Sequence, residues 1–124
     1  GLGLSDVAEL QVSVLTNRRT VDCAAVTQGC VRDQFPLDRF VDLQDARGST
    51  SKGVRFGLDG GAEVRMAPGR DFAFVIEALT GVPELAGSSC TFVETISAGA
   101  NRVTANPITL RVDAGVISSC DPRF

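Results

Sequence analysis

The sequence predicts an all-β fold, a seven- to eight-stranded antiparallel β-sandwich formed as a single domain over residues 1–124. Three observations predict it. Apolar and polar residues alternate at period two along most of the chain, the pattern of strands with one face turned inward. Clusters of Gly, Pro, Asn, Asp and Ser break this alternation about every eight to twelve residues. No segment sustains the 3.6-residue period of a long helix, and 124 residues suit one hydrophobic core.

The first strand is read from Leu2, Leu4, Ala8, Leu10, Val12 and Val14, all at even positions, with polar Glu9, Gln11 and Ser13 between them. Only Asp6 interrupts this face, so residues 1–6 read as an N-terminal strand extension in the same register. Asn17, Arg18 and Arg19 break the pattern, and residues 20–36 carry little periodicity. Phe35, Leu37, Val41 and Leu43 share one parity and favour a strand, although Leu37, Phe40 and Val41 also fit a short helix. A Gly- and Ser-rich loop is expected over 45–53. Val54, Phe56 and Leu58 form the next strand, and Asp59-Gly60 signals a hairpin returning through Ala62, Val64 and Met66. After Pro68-Gly69, Phe72, Phe74, Ile76 and Ala78 alternate with residues that include Ala73 and Val75. This most apolar stretch belongs at the centre of a sheet. A loop is expected over 80–89, then a strand through Cys90, Phe92, Ile96 and Ala98. Gly99-Ala100-Asn101 turns the chain. Val103 and Ala105 lie at odd positions, but Ile108, Leu110 and Val112 at even ones; a parity change beside Pro107 reads as a bulge or an edge strand. Val116, Ser118 and Cys120 close the pattern.

Composition narrows the function. The net charge is −3, which makes nucleic acid a poor partner. The longest apolar run, Phe72 to Ile76, is stopped by Glu77, far short of the roughly 20 residues of a membrane helix, so no membrane insertion is expected. His is absent, which removes Ser-His and Cys-His pairs and the commonest metal ligand. Four cysteines, Cys23, Cys30, Cys90 and Cys120, read as two disulfides in an oxidising compartment. They allow three connectivities. The favoured one joins Cys23 to Cys30 across a small loop and Cys90 to Cys120. Eleven Arg against one Lys, Lys52, suggest a GC-rich bacterial source, and a chain opening on Gly1 reads as a processed, secreted one.

The segment Val64-Arg65-Met66-Ala67-Pro68-Gly69-Arg70-Asp71-Phe72-Ala73-Phe74 resembles the Pro-Gly turn of prealbumin-like sandwich domains. Bacterial extracellular modules of the carboxypeptidase-regulatory-like (immunoglobulin-like) type share it. The segment Ile96-Ser97-Ala98-Gly99-Ala100-Asn101-Arg102-Val103 looks like their closing hairpin. The resemblance spans roughly residues 54–112. It implies a rigid extracellular spacer, adhesive or assembly module without catalysis, and it carries over no functional residue. The cysteine-bearing 23–30 segment and the N-terminal extension depart from that pattern.

Candidate sites are few. Paired carboxylates remain possible among 15 acidic residues; Glu77 and Glu94 lie in the two most apolar strands, where burial would raise the pKa and suit an acid, but a solvent-facing or Arg-paired placement of both is expected. Asp33, Asp38, Asp42 and Asp45 form an acidic cluster that could offer oxygens to calcium, but Arg32, Arg39 and Arg47 are interleaved with them. Lys52 is the only lysine able to form a cross-link to Asn or Asp, and it sits in a loop. All seven aromatics are Phe. Parity turns Phe56, Phe72, Phe74 and Phe92 inward, leaving little for a stacked sugar; Phe124 is expected to insert into its own or a neighbouring subunit. No catalytic residue, cofactor or metal is expected. The leading reading is a secreted, cell-surface bacterial structural subunit that binds copies of itself or another surface protein. Its assembly residues would be Leu2, Leu4, Ala8, Leu10, Val12, Val14 and Phe124, adding to another molecule's sheet edge and building a filament. The alternative is a monomeric extracellular binding or spacer module whose loops at 23–34 and 80–89 meet a partner.

Overall fold

A computed structural model describes residues 7–82, 84–110 and 120–124. Seven strands are present among them: β1 (Val7–Leu15), β2 (Leu43–Gln44), β3 (Thr50–Ser51), β4 (Val54–Phe56), β5 (Gly69–Thr80), β6 (Leu85–Ile96) and β7 (Thr109–Leu110). Five of them form one antiparallel sheet in the order β4-β1-β5-β6-β7, and β2 and β3 form a separate two-stranded ribbon. The β-rich antiparallel architecture with two disulfides agrees with the sequence reading. The strand positions expected at Leu2, Leu4, Val112, Val116 and Ser118 lie outside the described residues.

β5 is the middle strand of the sheet, as its apolar residues at both parities predict. The register lines up three rows on one face: Gln11–Glu77–Ser88, Ser13–Val75–Cys90 and Leu15–Ala73–Phe92. Leu15, Ala73, Val75 and Cys90 on this face pack against Val21, Val26, Val31 and Phe40, with Phe35 and Phe124 at the margin. The opposite face packs Val12, Val14, Phe72 and Phe74 against Leu43, with Val41, Val54, Phe56, Val64 and Met66 around them. Both faces are covered, so β1 is not the half-buried strand that alternation suggested. Gln11 and Ser13 are buried along with Val12 and Val14, whereas Ala8 is exposed. A register shift between Val7 and Glu9 breaks the parity there.

The cover on the first face is built mostly from single turns. Asn17 takes a left-handed backbone (φ 55°) and turns the chain into a 3-10 helix, Arg18–Thr20. Asp22 caps the short helix α1 (Cys23–Val26), its Oδ1 accepting from Ala24 N at 3.0 Å. Further 3-10 turns follow at Val31–Asp33 and Leu37–Arg39, the latter led in by Pro36 with its φ of −65°. The helical alternative for Leu37–Phe40 is therefore the observed one, and the strand begins only at Leu43. The segment then returns to the sheet: Thr16 N donates to Arg39 O (2.9 Å) and Val41 N to Val14 O (2.8 Å).

Four expectations are corrected. The disulfides join Cys23 to Cys90 and Cys30 to Cys120. Sequence proximity favoured Cys23–Cys30, but α1 presents Cys23 to β6, where it packs beside Cys90. The residues after Asp59-Gly60 do not pair with β4: β4 pairs with β1 (Leu10↔Phe56, Val12↔Val54), and Arg65 instead bridges Gln44. A nonlocal partner with a long apolar strand overrides the local turn signal. The 80–89 loop shrinks, since β6 starts at Leu85. Phe92 is 46% exposed at the β6 end of a row whose other members, Leu15 and Ala73, are buried, and Arg18 lies over its ring at 5.8 Å.

The C-terminal residues are integral to the first face. Pro122 is fully buried, and the Phe124 ring meets Phe40 edge-on at 4.9 Å. A Cβ on Gly53 would stand 2.6 Å from Phe124 Cδ2. Gly53→Ala is therefore expected to destabilise the protein by about 1–3 kcal/mol through overpacking, measured by denaturant unfolding. Non-reducing tryptic digestion is expected to release peptides 20–32, 71–102 and 112–123 as one cross-linked cluster. A self-looped 20–32 peptide would mean Cys23–Cys30 with Cys90–Cys120 instead. Replacing Cys23 and Cys90 together by Ala is expected to cost about 4 kcal/mol, given a closed loop with a sequence separation of 67.

Candidate functional site

The chemistry-bearing side chains collect under the first-face cover, in the row Gln11–Glu77–Ser88. Glu77 is 0% exposed at the middle of the sheet. Its Oε1 accepts from Gln11 Nε2 (3.3 Å) and its Oε2 from Val31 N (3.2 Å). Among the described residues both partners are amides, with no cation. Burial therefore dominates and pushes the carboxyl from 4.5 up to about 7, while the two hydrogen bonds pull it down and the charge of Asp33 pushes it further up. The sequence expectation of a solvent-facing or Arg-paired Glu77 is thus overturned. The signal was present: Phe72 to Ile76 is apolar at both parities, so a Glu directly following has no solvent face to turn toward.

Gln11 is the residue that sequence reasoning missed, since its parity assigned it to solvent. Its Nε2 also donates to Pro122 O at 2.7 Å, and its Oε1 accepts from Phe124 N at 3.4 Å. One buried amide thus joins the sheet, the carboxylate and the C-terminal segment. The hydroxyls of Ser88, in the same row, and of Ser13, in the neighbouring row, are buried with no hydrogen-bond partner among the described residues. Close by, Arg32 donates from its guanidinium to Arg123 O and lies 5.9 Å from the Phe124 ring. Arg123 grips Asp121 (2.8 Å) and pulls its carboxyl down to about 2.

The remaining candidates disperse. Glu94 is 71% exposed and 3.8 Å from Arg70. The acidic quartet divides its tasks. Asp45 Oδ1 accepts from Arg47 N and Ser49 N in the β2–β3 turn, Asp42 pairs with Lys52 at 2.8 Å, Asp33 faces Arg32, and Asp38 opens the Leu37–Arg39 turn. Cys30, Asp33 and Cys120 do place ligand atoms within 4.8 Å of one another, but the two sulfurs are joined to each other. Of the proposed assembly residues, Leu10 and Val12 pair with β4 on one side and β5 on the other, within the chain. Val14 pairs with β5 and accepts from Val41 N. Phe124 inserts into its own chain.

Glu77 makes stability pH-dependent with a definite sign. A carboxyl raised from 4.5 to about 7 on folding binds its proton more tightly in the native state. Its contribution is fully present below pH 4.5, falls as pH rises through 7, and is flat above. The loss is about 3 kcal/mol. Urea unfolding at pH 5 and pH 8 is expected to show wild type weaker at pH 8, with Glu77→Gln largely removing the difference. Equal wild-type stability at the two pH values would contradict the burial of an ionisable group here.

No protein-family model, no curated protein and no solved structure matches this chain.

Proposed function

We propose that the chain is a non-catalytic structural subunit of a bacterial cell surface, secreted and disulfide-locked, which adds to copies of itself through the segment preceding Val7. The observation that carries this reading is the way the disulfides are used. Each one joins segments far apart in sequence: Cys23–Cys90 ties α1 to β6, and Cys30–Cys120 ties the cover to the C-terminal segment. Such cross-links suit a rigid body working in an oxidising space. The finer reading, an immunoglobulin-like or prealbumin-like module, rests on the resemblance of the Pro68-Gly69 segment. The apolar alternation of Leu2 and Leu4 gives the segment before Val7 the pattern of a strand that pairs with an open edge. Residues from Leu10 onward already serve the chain's own sheet.

Both candidate carboxylates support the non-catalytic part of the reading. Glu77 is sealed from any substrate, and Glu94 is paired on the surface.

Light scattering in oxidising buffer tests the proposal. The full chain is expected to form particles well above the 13.0 kDa monomer, and deletion of residues 1–5 is expected to leave a folded monomer. Assembly that survives the deletion, or a full chain that stays monomeric at high concentration, would overturn it.

A further inference from the structure

We infer that Gln11 and Glu77 form a latch that ties the seating of the C-terminal segment, residues 121–124, to the protonation of one buried carboxyl group. This inference is independent of the assembly proposal.

The geometry is a continuous chain of contacts. Val31 N and Gln11 Nε2 each donate to one oxygen of Glu77. The same Gln11 amide donates to Pro122 O and accepts from Phe124 N. The segment also closes the face above the carboxylate, because Pro122 is fully buried and Phe124 packs on Phe40 and against Gly53. Seated, the segment helps to keep water from Glu77. Lifted, it breaks both bonds to Gln11 and opens that side of the face. An ionised carboxylate without a cationic partner favours the opened arrangement, where water can solvate it. A neutral carboxyl favours the closed one.

The charged groups around the latch do not offset this bias. Asp33, on the turn that carries Val31, opposes ionisation. Arg32, on the same turn, is committed to Arg123 O and the Phe124 ring. On the C-terminal segment, Arg123 holds Asp121. On β1, Glu9 is paired with Arg55 of β4 at 3.6 Å. On β6, Ser88 stands opposite Glu77, its hydroxyl without a partner among the described residues. The Cys30–Cys120 bond limits the motion, so that the segment swings from a fixed anchor at Cys120.

Amide exchange by NMR on the intact, oxidised protein tests the latch. Rates are corrected for the intrinsic pH dependence of exchange, and Phe124 N–H is compared with Val75 N–H at the sheet centre. Protection of Phe124 is expected to fall between pH 5.5 and 8.5 by up to about 30-fold, the share of the effect of a carboxyl moving between 4.5 and about 7 that falls within this window. Phe124 is expected to exchange through a local opening that low urea leaves unchanged, whereas Val75 follows the global stability and its urea dependence. Glu77→Gln is expected to hold Phe124 protected at both pH values. Gln11→Met, which cuts the chain at its middle, is expected to leave Phe124 poorly protected at both. Wild-type protection of Phe124 that does not change with pH would overturn the inference. So would exchange at Phe124 that rises with low urea as steeply as at Val75, which would mean global unfolding rather than a local opening, or an unchanged pH response in Glu77→Gln. If Glu77→Gln does not fold, the wild-type comparison of Phe124 with Val75 still decides.

Discussion

A sheet whose central strand is apolar on both faces must be covered on both faces, and the rest of this structure follows from that constraint. β5 has Phe72 and Phe74 on one side and Ala73 and Val75 on the other, all buried. One cover comes from the β2–β3 ribbon and the residues near Val64. The other is residues 17–41, a run of single turns with α1 only four residues long. Isolated turns of this length have no stability of their own. They hold their place by packing and by two covalent ties, one to the sheet and one to the C-terminal segment. Sequence separations of 67 and 90 make these ties effective constraints on the unfolded chain.

The same cover explains the unusual polarity beneath it. A row of Gln11, Glu77 and Ser88 crosses the sheet where an all-apolar row would pack more simply. Partly satisfied networks in a low-dielectric interior are expensive, because each member depends on the others for its hydrogen bonds. Here the network does work that apolar residues could not. It satisfies Val31 N and Pro122 O, two backbone groups of segments that have no sheet partner. The carboxyl that accepts from Val31 N is also the group most sensitive to the fit of the cover. Packing of the irregular layer and ionisation of Glu77 are therefore two readings of one equilibrium.

How much of this was legible in the sequence depends on whether the signal was local. The central place of β5 was legible because its apolar residues fill both parities. The turn at Gly99-Ala100-Asn101 was legible too; Asn101 bonds back to Ser97, and Gly99 takes a φ of 94°. The disulfide state was legible from the cysteine count, but not the pairing, which depends on how α1 docks on β6. β1 was read as half-buried because Gln11 and Ser13 look like a solvent face, and only the second cover removes that face. Asp59-Gly60 was read as a hairpin because local turn chemistry is the stronger signal in sequence; β1 offered β4 a better edge in three dimensions. Glu77 was the most recoverable of the misses. Its donors were invisible, since Gln11 and Val31 lie 66 and 46 residues away.

The measurement that tests this account most directly is the titration of the Glu77 side-chain carboxyl by carbon-13 NMR, before and after reduction of the disulfides. The account predicts a midpoint near 7 in the oxidised protein, moving toward the ordinary carboxylate range once the cover is released. A midpoint near 4.5 in the oxidised protein, or one near 7 that reduction leaves untouched, would contradict the claim that a disulfide-held cover seals the carboxyl at the centre of the sheet.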